Sequence, residues 1–270
     1  MTKGDLAGCH AYWRVDGHGP RRAFMLHCTF AHSGAWKKLM AELGDVFTST
    51  AMDLPGHGRS GGRDRAYSWQ GQSVAMAIEL IEKDKGPVDL IGHSFGATVA
   101  IRIAVERPDL VRSLTIIEPV FFSAAKDAGH PEFDHYLAHP EEFIAHLEVG
   151  ELEKAARAFS DRWGDGTKWY DLPEAQREYM AARIPLVAES ASAAMGIGRD
   201  YVPLTEVAAI RVPVLLIEGA KTEPIVAATQ QSLASVLPQA KRVIVPTAGH
   251  MVPITHPAQV GREIRSYLKL

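Results

Sequence analysis

Along the first third of the chain, short apolar runs alternate with longer stretches in which apolar residues recur every three or four positions, the layout of strands and helices in a doubly wound α/β sheet. Residues 10–15 and 23–28 read as strands joined by the turn-rich Asp16-Gly17-His18-Gly19-Pro20, a helix begins near Ala35, and residues 46–54 read as the next strand. Within residues 68–83, Val74, Ala77, Ile78 and Ile81 fall at helical spacing. Pro87-Val88-Asp89-Leu90-Ile91 is a short apolar run bounded by Gly92; residues 95–106 form an apolar helix ended by Pro108, and residues 114–117 supply another strand.

The pattern then changes. From residue 121 to 201 strand signals vanish and short amphipathic stretches take over, as at residues 140–147, 152–163 and 173–183. Strand signals return at residues 212–217 and 242–245, followed by helix-like stretches at 226–237 and 257–268. The expected organisation is therefore an α/β core of residues 1–120 and 202–270 interrupted by a helical insertion of residues 121–201. No internal repeat or low-complexity tract interrupts this reading.

Composition narrows the setting. A chain of 270 residues with 46% hydrophobic and 23% charged residues can bury a sizeable core. The net charge is −3 and there is no block of Lys or Arg, so neither nucleic acid nor an anionic membrane is an expected partner. No apolar run approaches a spanning helix, and Met1-Thr2-Lys3-Gly4-Asp5 lacks the layout of a signal peptide, so a cytoplasmic location is expected. The two cysteines, Cys9 and Cys28, make no disulfide framework and match no zinc site; they read as free thiols.

The strongest chemical signal is Gly92-His93-Ser94-Phe95-Gly96, placed where a buried strand ends and an apolar helix begins. In so tight a turn, side chains at the two glycines clash while the serine hydroxyl is left exposed. The N–H of Phe95, at the start of the helix, then points at the oxyanion formed when Ser94 attacks a carbonyl. A serine capping a glycine-bearing turn is the plainer reading of the pentapeptide alone; the flanking strand and helix favour the catalytic one.

With these residues the chain resembles the α/β-hydrolase superfamily over nearly its whole length. Asp53-Leu54-Pro55-Gly56-His57-Gly58-Arg59-Ser60 looks like its strand-end loop, residues 92–96 like its nucleophile elbow, Ala248-Gly249-His250 like its histidine loop, and the insertion sits where its caps sit. A serine needs a base to take its proton, and the resemblance implies His250 for that role. The other histidines lack that placement: His93 reads as a packing or hydrogen-bonding residue, His256 as a helix-start residue, and His27 and His32 as loop braces.

The acid that orients the histidine must come between serine and histidine in the chain, which Glu118 and Glu223 both satisfy. Most of the superfamily carries an aspartate at G-x-x-D after the strand matched by residues 212–217, whereas this chain has Gly219-Ala220-Lys221-Thr222, with Glu223 one residue late. Some haloalkane dehalogenase relatives instead place a glutamate at the end of the strand after the nucleophile helix, and Ile116-Ile117-Glu118-Pro119 looks like that arrangement. A carboxylate ending an apolar run needs a buried partner, so Glu118 is preferred to Glu223.

The resemblance also implies a second oxyanion donor, the N–H of Thr29 in His27-Cys28-Thr29-Phe30-Ala31. Cys28 stands where relatives carry glycine, so its φ/ψ must suit a residue with a Cβ. His135 and His139, at i and i+4, read as a solvated helix face rather than a metal pair. Trp163, Trp169, Tyr170, Phe121 and Phe122 are candidates to line a pocket. The expectation is a serine hydrolase acting on a small carboxylic ester, thioester or lactone, with Ser94, His250 and Glu118 as triad, Thr29 and Phe95 as oxyanion hole, and no metal or organic cofactor. Carbon–carbon bond hydrolysis of the kind used in aromatic breakdown, and small-molecule binding without hydrolysis, remain the alternatives. Oligomeric state is not legible.

Overall fold

The computed structural model describes residues 2–83 and 86–270. Met1, the first residue of the segment read for a signal peptide, lies outside them. The sheet has eight strands, β1 (Thr2–Leu6), β2 (Cys9–Asp16), β3 (Arg21–Leu26), β4 (Phe47–Met52), β5 (Val88–His93), β6 (Val111–Ile117), β7 (Val214–Gly219) and β8 (Ala240–Val245), in the spatial order β1-β2-β4-β3-β5-β6-β7-β8. The β1–β2 and β2–β4 pairs are antiparallel and the rest are parallel. It is an α/β-hydrolase fold, mostly parallel and flanked by helices.

Parallel neighbours need crossovers, and helices supply them: α1 (Lys37–Glu42) leads to β4, α2 (Trp69–Lys83) to β5 and α3 (Phe95–Glu106) to β6. Between β6 and β7 come α4 (Ser123–Asp127), α5 (Pro131–Ala138), α6 (Glu142–Glu148), α7 (Leu152–Trp163), α8 (Glu174–Ala181), α9 (Ile184–Met195) and α10 (Leu204–Val207). The chain closes with α11 (Pro224–Val236) ahead of β8, then α12 (Val252–Thr255) and α13 (Pro257–Leu268).

Covering both faces of a sheet buries its central strands and favours apolar residues there; every residue of β5 and of β7 is buried, and the two carboxylates among them, Asp89 and Glu218, are paired with Arg21 and Arg242. Successive side chains still go to opposite faces. Leu90, Ile116 and Leu216 pack with Leu80 of α2 and Val99 of α3, while Ile91, Ile117 and Ile217 pack with Leu39 of α1 and Ile264 of α13. The segment between β6 and β7 has apolar contacts of its own, among Phe143, Ala156, Trp169, Met180 and Ile184. A further cluster ties Phe122, Trp163 and Ala194 to Ile225 and Val226 of α11. The strand order reverses at β3, which lies between β4 and β5, so the loops after β3 and β5 part and leave a crevice at the carboxyl end of the sheet.

Several elements differ from the sequence reading. No element was expected before residue 10, yet β1 pairs with β2 through a two-residue turn with Ala7 at φ 45° and Gly8 at φ 73°, the twist that suits a tight hairpin. The helix expected near Ala35 starts as a 3-10 turn, Ser33–Trp36, before α1. The helices α4, α5 and α9 were not anticipated as separate elements.

Candidate active site

Ser94 alone bridges β5 and α3, at φ 55° and ψ −118°. A serine at positive φ is strained, and strain of this kind persists only where the surroundings fix it. They do so here by close packing. A Cβ on Gly92 would lie 2.4 Å from the Gly96 carbonyl oxygen, and one on Gly96 would lie 2.2 Å from that of Leu26. Both positions therefore need glycine for space rather than for φ. Phe95, as the first residue of α3, has an N–H with no acceptor inside the helix.

Glu118 follows the last residue of β6 at φ 50°, a second strained strand end, and its side chain is fully buried. Burial of a carboxylate is tolerable only with donors around it, and three are present. Its Oε1 accepts the N–H of Gly219 at 2.6 Å; its Oε2 accepts the hydroxyl of Thr222 and lies 3.0 Å from His250 Nδ1. With Nδ1 donating to the carboxylate, a neutral imidazole presents Nε2 as acceptor, and Nε2 lies 2.9 Å from Ser94 Oγ. The structure thus brings Ser94, His250 and Glu118 into one hydrogen-bonded chain.

Glu223 does not join it. Its carboxylate is paired with Arg162 of α7, at 2.6 Å and 2.9 Å. The histidine loop is held from beneath by His93, whose Nε2 lies 2.8 Å from the His250 carbonyl oxygen. Burial pushes His93 down to about 3, so it is a neutral donor. From above, the Trp163 ring stands nearly perpendicular to the His250 ring, with centroids 4.9 Å apart.

The loop after β3 turns at residues 28–31, with Ala31 N–H donating to the Cys28 carbonyl at 3.2 Å. Phe30, at φ 66°, fills the third position, where a type II turn requires positive φ. The unusual backbone falls on Phe30 and not on Cys28. Burial pushes the Cys28 thiol up to about 12, which leaves it protonated and unreactive. His27 braces the loop: its Nδ1 lies 2.7 Å from the Cys28 carbonyl and its Nε2 accepts the Leu54 N–H at 2.9 Å. Burial pushes it down to about 4.

Two cavities meet at Ser94. One, of about 490 Å³, is walled by apolar side chains such as Val120, Phe122, Leu137, Ile144 and Leu147; the other, of about 380 Å³, opens past Thr29 toward Lys37 and Gln176. Thr29, Ser94, Phe159, Trp163 and His250 line both. Of the aromatic candidates, Trp163 and Phe122 reach these cavities. Phe121 lies in the main core, Trp169 among α6–α9 and Tyr170 is exposed. His135 and His139 lie together on an exposed face, ring centroids 4.3 Å apart, and no three metal-ligating side chains cluster among the described residues. No helix among them is long and apolar enough to cross a membrane. Sequence reasoning missed Thr222 and Gly219 as partners of Glu118, although threonine at the expected aspartate position was the visible signal.

A model of the alpha/beta hydrolase family matches residues 23–263, and the chain belongs to that family. The 2-(acetamidomethylene)succinate hydrolase of Mesorhizobium japonicum is 26% identical over 281 residues, covering 94% of this chain and 90% of that protein. Lipase LipV of Mycobacterium tuberculosis is 34% identical over 154 residues, and the match spans only 55% of each protein. The crystal structure of an enol-lactonase from Burkholderia xenovorans superposes with a TM-score of 0.76 over 100% of both chains at 17% identity, a likeness of fold alone. The family is one of hydrolases, with a lipase among this chain's relatives.

Proposed function

We propose that the protein is a serine hydrolase that cleaves a small carboxylic ester, thioester or lactone through an acyl-enzyme on Ser94. The observation that carries this reading is the 2.9 Å contact between His250 Nε2 and Ser94 Oγ, with Glu118 behind the ring. His250 takes the hydroxyl proton as Oγ attacks the carbonyl carbon. The tetrahedral oxyanion is met by the N–H groups of Thr29 and Phe95. Collapse breaks the bond to the leaving group, which receives the proton from Nε2, and water then repeats the sequence on the acyl-enzyme. Glu118 holds the ring in one tautomer and stabilises the imidazolium. Residues 121–201 act as a cap over this site, and residues 1–120 and 202–270 as the core.

The lipase among the family relatives supports the substrate class, and the apolar cavity of about 490 Å³ suits an acyl group of modest size. The test is release of nitrophenolate from p-nitrophenyl hexanoate, with thioester, lactone and vinylogous diketone substrates alongside. Turnover by the native protein that Ser94→Ala abolishes is the expected result. Cleavage of the diketone alone would shift the reading to carbon–carbon hydrolysis, and equal rates in the native protein and Ser94→Ala would end it.

A further inference from the structure

A groove of about 700 Å³ lies beside the catalytic cavity, walled by β2, the loops after β3 and β4, and the start of α8. It shares Phe30, His32, Lys37 and Gln176 with the cavity that holds Ser94. Arg14 and Lys37 line it against a single carboxylate, Asp53. That carboxylate is already engaged, accepting the N–H groups of Ser33 at 2.6 Å and Arg59 at 2.8 Å. Positive charge is thus in excess here, on a chain whose net charge is −3.

Three other part-buried arginines are matched with carboxylates: Arg21 with Asp89 at 2.5 Å, Arg162 with Glu223 at 2.6 Å and Arg242 with Glu218 at 2.5 Å; Arg177, over the Tyr170 ring, is not, and its Nε is buried without a partner among the described residues. Arg14 is unmatched as well. Its guanidinium has no ion-pair or hydrogen-bond partner among the described residues, and its Nε is buried without one, as is Tyr12 Oη in the same wall. The Lys37 ammonium also has no partner among the described residues, and the Arg59 guanidinium stands over the Tyr12 ring, 5.1 Å from its centroid. Buried donors left unpaired are costly, and a guanidinium presents a fork of donors that fits a carboxylate or a phosphate.

We infer that this groove receives an oxyanion, phosphate or carboxylate, carried by the leaving half of the substrate, while the acyl half occupies the apolar cavity on the other side of Ser94. The inference rests on the hydrolase reading and adds the substrate class: an acyl ester or thioester whose alcohol or thiol bears an anionic tail. When Ser94 Oγ bonds to the acyl carbon, the carbon–oxygen or carbon–sulfur bond breaks, and the departing atom takes its proton from His250 Nε2. The tail stays with Arg14 and Lys37 until the product leaves.

Three hexanoyl thioesters test it: those of coenzyme A, which carries phosphates, of glutathione, which carries carboxylates, and of uncharged N-acetylcysteamine. The native protein should favour one anionic thioester over the neutral one by about tenfold or more in kcat/KM. That ratio should fall as salt is raised and collapse, mainly through KM, in Arg14→Gln/Lys37→Gln, with thermal melting confirming that the variant is folded. Preference for the coenzyme A thioester identifies phosphate, and preference for the glutathione thioester identifies carboxylate. Equal use of all three, or a preference that the double variant keeps, overturns the inference. Calorimetric titration of Ser94→Ala with coenzyme A and with glutathione reads the groove without turnover: binding lost with Arg14 and Lys37 supports it, and no binding of either thiol overturns it. If none of the three thioesters turns over, the calorimetry alone decides the inference, and only failure of p-nitrophenyl hexanoate as well counts against the hydrolase reading.

Discussion

Thr222 donates its hydroxyl to Glu118, on the same carboxylate oxygen, Oε2, that lies 3.0 Å from His250 Nδ1. The two residues come from different strand ends, Glu118 after β6 and Thr222 after β7, and the pairing of those strands aligns them. On the proposed reading, the chain has its triad carboxylate one strand away from the G-x-x-D position and uses that position for a donor. Removing the charge in Glu118→Gln should lower kcat by about 10³-fold or more, as loss of the orienting acid does in a serine triad. Thr222→Val, which removes one donor and keeps the carboxylate, should cost about tenfold. Steady-state kinetics on one ester checks both, and a Thr222→Val loss as deep as that of Glu118→Gln would contradict the division of roles.

Glu223 is held by Arg162 and makes no contact with the histidine. Glu223→Gln should leave kcat and KM unchanged and cost at most about 1 kcal/mol in stability, the scale of a partly exposed ion pair. Loss of turnover in this variant with Glu118→Gln still active would reverse the assignment of the acid.

Gly96 faces the backbone of β3, where a Cβ would stand 2.2 Å from the Leu26 carbonyl oxygen and 2.6 Å from that of His27. Since backbone cannot rotate aside as a side chain can, Gly96→Ala should destabilise the protein by about 3 kcal/mol or more. Urea denaturation measures this directly, and a midpoint within experimental error of the native protein would show that α3 shifts freely.

How much of this was legible in the sequence follows from how local each cause is. The elbow could be read because its residues are consecutive and Gly92 is fixed by the backbone of Gly96 and Ala97, although the contact that forbids a side chain at Gly96 comes from Leu26 in another strand; Glu118 stood out as a carboxylate ending an apolar run. Thr222 could not be assigned a role from sequence, since its partner is 104 positions away and only the β6–β7 pairing joins them. Cys28, where glycine is usual, was expected to keep a backbone that suits a Cβ, and it does; that the turn instead puts positive φ two residues later, at Phe30, left no mark in the sequence. β1 left no trace because Thr2–Leu6 is an edge strand whose residues are mostly exposed and carry no apolar alternation.

Buried histidines make stability depend on pH. Burial pushes His27 down to about 4 and His57 and His93 to about 3, from an ordinary value of 6.5. Above pH 6.5 these rings are neutral in both folded and unfolded chains, and stability is at its full value. As pH falls below it, the unfolded chain binds protons that the folded one refuses, so stability is lost down to the folded values. Each histidine adds a slope on the order of 1.4 kcal/mol per pH unit. Denaturant midpoints from pH 7 to pH 4 should fall steadily; a flat profile to pH 5 would mean that these rings are not held neutral.

The central claim is that Ser94 is a nucleophile activated by His250, and covalent capture measures it most directly. A fluorophosphonate probe, with the adduct located by peptide mass spectrometry, requires an activated serine together with a site for the developing oxyanion, and no knowledge of the substrate. A single adduct on Ser94, absent from Ser94→Ala and strongly slowed in His250→Ala, is the expected result. No adduct on the folded protein, or equal labelling after His250 is removed, would contradict it.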